Sequence, residues 1–398
     1  MKVLQINAVY GAMSTGTIVQ DIGTMLEANG HEAYFAYQSA PCAPKNGFRM
    51  GNALDKNLHA LHTRVFGRQG YASKHATKRL IGWIKKIKPD VVHLHNLHSN
   101  CINFNMLTDY LAGADIATVI TMHDCWYFTG KCTHYAPYGC ERWQKECGNC
   151  PALKKEVKSW LFDRTRATLL DRTAHLNAIP RLTLVGASSW IAGQAQKSRI
   201  KGAVVEVALN GVDTTLFVPH ASDFRQNAGI AQDEFVVLGM SNKWADVQNV
   251  ERARQLILQN ADKRFVLLGA EGKVFADLKN ATVIERHLGR QELADAYACA
   301  DVFVNLTHAD TLPTVNMEAL CCGTPVVTFD VGGSPELVAK GDGIIVAEGD
   351  FDGINDAINR VLNREINVDV KSAAQRFDRT KCYQKYLQIY QGALGAKE

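Results

Sequence analysis

Short apolar segments separated by helix-length stretches recur in two successive runs along the 398 residues, and this double alternation constrains the fold more than any other feature. In the first run, strand-like segments stand at residues 3–8, 33–37, 91–94, 117–121 and 182–187, with a helix over 18–29. The second run places strands at 235–239, 264–268, 282–285, 302–305 and 325–329, with helices over 250–259, 290–299 and from residue 315. Such alternation predicts open parallel sheets with helices on both faces. Ligands of such sheets gather beyond the carboxyl ends of the strands. The length exceeds one ordinary core and fits two domains of roughly 150–200 residues. Between the runs, Val207-Ala-Leu-Asn-Gly-Val-Asp-Thr-Thr-Leu-Phe-Val-Pro219 reads as a turn-rich connector. A helical tail rich in Tyr and Gln runs over 373–391.

Apolar content of 46% and charged content of 21% suit a soluble globular protein. No apolar run approaches the roughly 20 residues of a membrane span. The opening Met-Lys-Val-Leu-Gln-Ile-Asn-Ala is too short in apolar residues for a signal peptide, so a cytoplasmic location is expected. The net charge of +4 gives no argument for nucleic acid, but its distribution is uneven. From Lys56 to Lys88 there are nine Lys or Arg and no Asp or Glu. Within that block, Arg79-Leu-Ile-Gly-Trp-Ile-Lys-Lys-Ile-Lys88 mixes charge with apolar side chains. One reading is a basic amphipathic helix on the anionic cytoplasmic face of the inner membrane, or beside a lipid-diphosphate acceptor. The other is a core-packed helix with a solvated basic face.

Chemistry concentrates in Asp310-Thr-Leu-Pro-Thr-Val-Asn-Met-Glu318-Ala-Leu-Cys-Cys-Gly-Thr-Pro-Val-Val, followed by Val331-Gly-Gly-Ser-Pro-Glu336. One carboxylate falls in a loop and the other just inside a helix, and a second Gly-rich loop also ends in a glutamate. Backbone N–H groups at a helix start favour anions, and carboxylates accept hydrogen bonds from hydroxyls. The ligand implied is a nucleotide sugar. A helix start with acidic residues placed for the dipole alone would account for one carboxylate, not for the whole string. Near the N-terminus, Val9-Tyr-Gly11-Ala-Met-Ser14-Thr15-Gly16-Thr17-Ile18 forms a Gly- and Ser/Thr-rich loop ahead of a helix, suited to phosphate and acceptor. It lacks the Gly-Lys-Ser/Thr of an ATPase, and no Gly-x-Gly-x-x-Gly follows the first strand, which disfavours a dinucleotide dehydrogenase.

The string resembles the donor site of the retaining nucleotide-sugar glycosyltransferases of the GT-B fold, family 4, and within them the bacterial capsule, O-antigen and colanic-acid branch. That branch reads roughly Glu-Asp-Asn-x-Pro-Thr-x-x-x-Glu-Ala-x-x-x-Gly-Thr-Pro-Val. Asp310, Pro313, Glu318, Gly323 and Pro325 fall in register, while Ala309 replaces the first Glu. The connector and the Gly-Ser-Thr-Gly loop match the family too. The resemblance implies an α/β chain of two Rossmann-like domains with parallel sheets facing across a cleft. Residues 1–205 would be the acceptor-side domain with a Cys-rich insert over 125–151, 206–221 the connector, 222–372 the donor domain, and 373–398 a helix crossing back. It also implies transfer of a sugar from a UDP- or GDP-sugar to a lipid-linked polysaccharide intermediate, without a catalytic metal.

Carried over, Asp310 would hold donor-sugar hydroxyls, Glu318 the ribose hydroxyls, and the backbone of Thr311, Leu312, Pro313 and Thr314 the diphosphate. Gly332 and Gly333 would add N–H groups, and Glu336 would order their loop or touch the donor. Gly16, Lys243, Arg286 and Leu288 join the donor set, with Arg286 and Leu288 where the family recognises the base. His123, in Thr121-Met-His-Asp-Cys-Trp126, would contact the transferred sugar. Asp124 would fix its tautomer or meet the acceptor, and Ser14, Thr15 and His95 would lie on the acceptor side with His93 and His98.

Five of the eleven cysteines lie between positions 125 and 150. Cys132, Cys140, Cys147 and Cys150, ending in Cys-x-x-Cys, supply enough thiolates for a structural zinc, or stay reduced. The chain departs from the family after residue 240: Val247 and Gln248 stand where relatives carry a basic pair that neutralises the diphosphate. Lys243, Arg286 or Lys131 would have to stand in. A catalytically silent nucleotide-sugar-binding subunit that assists a partner transferase is therefore the alternative. A non-hydrolysing sugar-nucleotide epimerase is disfavoured by the Asp310–Glu318 string and the Cys-rich insert.

Overall fold

Apolar segments of the first half pair into a seven-stranded, all-parallel sheet. Its strands are β1 (Lys2–Ile6), β2 (Glu32–Tyr37), β3 (Gly47–Arg49), β4 (Val91–Leu94), β5 (Ala117–Met122), β6 (Leu182–Gly186) and β7 (Val204–Val207), in the order β3-β2-β1-β4-β5-β6-β7. Every residue of β4, β5 and β6 is buried, as expected for central parallel strands covered on both faces. Alternation of side chains divides their contacts. Leu4, Val92 and Ile120 join one core with Leu80 and Ile84, while Val3, Val91 and Val119 join another with Ile18, Ile22, Tyr386 and Tyr390.

The second half forms a six-stranded parallel sheet from β8 (Phe235–Met240), β9 (Lys263–Leu268), β10 (Ala281–Ile284), β11 (Val302–Asn305), β12 (Val326–Phe329) and β13 (Gly343–Val346), ordered β10-β9-β8-β11-β12-β13. Its core gathers Val237, Phe265, Leu267, Val304 and Val327 against the helices Val250–Gln259 and Phe351–Leu362. In each sheet the strand order reverses beside the first strand, β1 or β8, which is the topological switch point where α/β sheets bind ligands.

This structure is a computed structural model that describes residues 1–395; residues 396–398 of the expected tail lie outside the described residues. Two compact units emerge, Met1–Asn210 with the chain from Thr380 onward, and Gly211–Arg379. The stretch 206–221 is thus shared: Val207 ends β7, and Val212 already pairs with Asp378 inside the second unit. The tail is two helices rather than one, Val370–Phe377 and Arg379–Gly395. Asp378 between them leaves helical dihedrals and accepts a hydrogen bond from Thr214 at 2.9 Å. The second of these helices buries Tyr383, Tyr386, Ile389 and Tyr390 in the first unit.

Among the described residues no helix is long and apolar enough to cross a membrane. The basic helix Lys74–Ile87 turns Ala76, Leu80 and Ile84 into the core, and Trp83 stacks on Phe48 at 5.1 Å. Its most buried apolar residues therefore pack inward and its exposed positions are Lys74, His75, Lys78, Arg79, Gly82, Lys85 and Lys86, so the exposed face is basic rather than apolar.

Candidate functional site

In the second unit the loops that follow β11 and β12 are locked together. The Leu312 N–H donates to the Asp310 carboxylate at 3.0 Å, and the Gly333 N–H donates to the Asp310 carbonyl at 3.2 Å. Gly332 adopts φ +59, and a Cβ there would overlap the Asp310 carbonyl, so only glycine allows this approach. Asp310, Thr311, Leu312 and Pro313 thereby lead directly into the helix Thr314–Cys321, whose first turn has no side-chain cap. Uncapped N–H groups there form an anion-favouring lip, whereas the Gly333 N–H expected to join it is already taken by the Asp310 carbonyl.

Glu318 stands one turn inside that helix and accepts a hydrogen bond from the Tyr297 hydroxyl at 3.2 Å. Burial pushes its carboxyl up to about 7, against the opposing pull of that hydrogen bond and of Arg290. An acid poised there can switch between a neutral resting form and a carboxylate that grips hydroxyls. Glu336 is exposed at the end of the Gly turn.

A polar strut joins these loops to the one after β8. Asn249 donates to the carbonyls of Lys243 and Leu306, both at 2.7 Å, and its own oxygen faces His308 Nε2 at 2.7 Å. The other ring nitrogen of His308 meets Glu348 at 2.7 Å. Asn249, His308 and Glu348 were not singled out in the sequence, where they stand far apart and form no motif.

The structure answers which cations stand near. Lys243 lies in the short helix Ser241–Trp244, tied by its carbonyl to Asn249. Val247 is 88% exposed, so the position of the family's basic pair presents an apolar side chain to solvent. Arg286 is clamped on Glu292 at 2.6 and 2.9 Å and lines a groove with Ser222 and Asp295; Leu288 is half-buried. Lys131 is not a stand-in: its ammonium donates to the carbonyls of Ala152 and Leu153 within the Cys-rich segment of the other unit.

In the first unit, histidines collect at the carboxyl ends of β1, β4 and β5. Gln5 donates through Nε2 to the Val19 carbonyl at 3.0 Å, which leaves its oxygen facing His95 Nε2 at 3.2 Å. His95 Nε2 must therefore carry the proton, and its Nδ1 accepts from His123 Nε2 at 3.0 Å. Burial lowers the His95 pKa well below the usual value and that of His123 to about 4, so both rings are neutral. The chain of donors thus makes Nδ1 the accepting nitrogen of His123. His95, not Asp124, sets that tautomer.

Asp124 instead pairs with His98 at 2.8 Å and caps the Trp126 N–H at 2.8 Å. Burial alone would raise the Asp124 pKa, but the His98 charge holds it low. His93 is a core residue, buried between the hydroxyls of Tyr390 and Thr121 at 2.7 Å each. Ser14, Thr15 and Gly16 lie in the first turn of the helix Met13–Ala28 rather than in a loop, and Gly16 is buried against Val9.

The Cys-rich segment is anchored by Arg172, whose guanidinium lies 3.6 Å over the Trp126 ring and donates to the Thr129 carbonyl at 2.8 Å. Glu156 and Asp163 accept from the Thr133 and Cys150 N–H groups. Cys132, Cys140, Cys147 and Cys150 line one small pocket with Trp143. They do not converge as metal ligands, and among the described residues no group of three or more His, Cys, Asp or Glu does.

Two parallel-sheet, Rossmann-like units with switch-point loops of this kind are the GT-B architecture of glycosyltransferases. The chain belongs to glycosyltransferase family 4: the profile of that family matches residues 15–216, and the profile of glycosyl transferases group 1 matches residues 233–364. It is 28% identical over 163 residues to the N-acetyl-alpha-D-glucosaminyl L-malate synthase of Bacillus anthracis, a match covering 38% of this chain and only 42% of that protein. WcaC of Escherichia coli (strain K12), assigned as a colanic acid biosynthesis glycosyl transferase, is 23% identical over 373 residues, covering 87% of this chain and 88% of WcaC. Among solved structures, Anabaena Alr3699/HepE in complex with UDP and glucose superposes with a TM-score of 0.67 at 16% identity, over 98% of this chain and 99% of that one.

Proposed function

We propose that this glycosyltransferase moves a sugar from a UDP- or GDP-sugar, with retention of anomeric configuration, onto a lipid-linked intermediate of polysaccharide assembly. The observation that carries the reading is the junction of Asp310 with Gly333 over the start of the helix Thr314–Cys321, with Glu318 one turn on. Uncapped N–H groups match a diphosphate. Asp310 and Glu318 match the hydroxyls of sugar and ribose. The N–H groups of this lip would stabilise the charge that grows on the leaving diphosphate. His123, a neutral ring beside His95, would contact the transferred sugar and so help to orient it. The colanic acid assignment of WcaC supports the polysaccharide context, and the UDP and glucose of the Alr3699/HepE complex support the donor class.

Exposed Val247 in place of a phosphate-binding cation favours a second reading, a silent subunit that binds the nucleotide sugar for a partner transferase. Thermal-shift binding against UDP, GDP and their sugar conjugates, followed by a donor-hydrolysis assay, separates the two. Stabilisation by one nucleotide, lost in Glu318→Ala, together with measurable turnover, is the expected result. Stabilisation without turnover at any protein concentration makes the silent subunit the answer. No stabilisation by any nucleotide overturns both.

A further inference from the structure

The helix Ala53–Phe66 is built inside out. Its inward face buries His59 and Thr63, whereas Leu54, Leu58 and Leu61 are 65%, 57% and 49% exposed and Phe66 at its end is 50% exposed. Positions 54, 58 and 61 follow helical spacing, so they form one stripe along the solvent side. The stripe continues onto a second element. The Trp160 N–H donates to the Arg64 carbonyl at 2.6 Å, and the Phe162 carbonyl lies against Gly67. This loop leaves Trp160, Leu161 and Phe162 exposed by 53%, 67% and 43%. Each such side chain leaves about half of its surface in water and so forgoes part of the stabilisation that burial would bring. Exposed apolar side chains gathered on one helix face and on the loop bonded to its end mark a contact surface.

Charge selects the partner. The Arg64 guanidinium lies over the Trp160 ring at 6.0 Å and that of Arg164 over the Phe162 ring at 5.4 Å, with Lys56 and Arg68 along the same helix and the turn after it. The nearby acids are engaged in local structure: Asp55 closes the capping box with Asn52, Asp163 accepts from Cys150 and Thr165, and Asp171, which interacts with Arg68, accepts from Tyr71 and Asn105. Cations held above aromatic rings that project outward match the layering of a bilayer interface, with phosphates outside and acyl carbons beneath. An acidic or apolar protein groove would not require both features on so narrow a stripe.

We propose that the helix Ala53–Phe66 and the loop at 160–162 form a docking face for an anionic lipid bilayer. The inference deepens the lipid-linked acceptor reading, on which its purpose rests, but its test does not pass through glycosyl transfer. The full chain would be floated with vesicles of phosphatidylcholine alone and of phosphatidylcholine mixed with phosphatidylglycerol. Binding is expected only to the mixed vesicles and should weaken with salt. The triple variant Leu54→Ser, Leu58→Ser, Leu61→Ser should lower binding by roughly tenfold or more, and Arg64→Gln with Arg164→Gln should flatten the salt dependence. All five side chains are exposed, so the variants should melt as the parent does. Leu258→Ser, at an exposed leucine of the other unit, should bind like the parent.

Equal flotation of parent and triple variant overturns the proposal, as does failure of the parent to bind mixed vesicles. A parent that doubles its mass in solution while the variant stays monomeric would assign the patch to a second copy of the chain instead. Nucleotide-dependent thermal shifts measured on the same samples keep a failure of the donor reading distinct from a failure of the lipid face.

Discussion

Glu318 meets two opposed demands. Burial favours the neutral acid and lifts its pKa from the usual 4.5 to about 7, against the hydrogen bond donated by the Tyr297 hydroxyl. Two ribose hydroxyls that both donate to it would favour the carboxylate. The sign follows from linkage. A raised carboxyl pKa costs nothing below about pH 4.5, and the cost grows until the group is ionised above about 7. Glu318→Gln should thus match the parent's stability at pH 4 and exceed it at pH 8 by about 3 kcal/mol. Nucleotide affinity should behave oppositely: in the parent it falls as pH drops below 7, approaching tenfold per unit, because the site must first lose a proton. Titration calorimetry across pH 5.5 to 8 reads this directly. A flat profile in the parent, or the same slope in the glutamine variant, would remove Glu318 from the ribose site.

Between elements, the decisive contact is one the residue string does not display. The Gly332-Gly333 pair announces a turn, but not that the turn lies under the carbonyl of Asp310, more than twenty positions earlier. Gly332→Ala combines a left-handed φ with overlap against rigid backbone, and should cost at least roughly 2 kcal/mol and abolish nucleotide binding. Gly139→Ala is the control, since Gly139 shares the positive φ with nothing within 4 Å and should show the backbone strain alone. Equal melting losses in the two variants would mean that the Asp310–Gly332 junction contributes nothing. The Asp310–Glu318 spacing was legible for a physical reason: both fall within one loop–helix unit, where spacing and geometry correspond. The Asn249–His308–Glu348 strut and the Gln5–His95–His123 relay join strand ends distant in sequence, and the residues carry no pattern of their own. The same limit hides what anchors the Cys-rich segment: Arg172, Glu156 and Asp163 hold it from positions that form no pattern with the cysteines.

For the whole molecule, the central strands were readable because burial on both faces demands unbroken apolar runs. The short edge strands β3, β7 and β13 carry exposed or half-buried residues and so left no such run. The last helix was readable as a helix from its composition, and its tyrosines explain why it matters. Tyr390 and Tyr386 reach the buried His93–Thr121 pair, both by hydrogen bonds of 2.7–2.8 Å. Together with Tyr383 and Ile389 they cover β4 and β5 in one core. Four such side chains are worth on the order of 6–10 kcal/mol of burial, comparable with the whole net stability of a domain, about 5–15 kcal/mol. A chain ending at Arg379 should therefore lose the folded state of Met1–Asn210 while Gly211–Arg379, which has its own core, keeps its transition. Calorimetry should show the loss of one transition, and limited proteolysis should cut only within the first 210 residues. Tyr390→Phe gives the graded version: it leaves one nitrogen of buried His93 unpaired and should lower the first unit's stability by about 1–3 kcal/mol. Two unchanged transitions in the truncated chain would show that the first sheet closes its core without the returning helix.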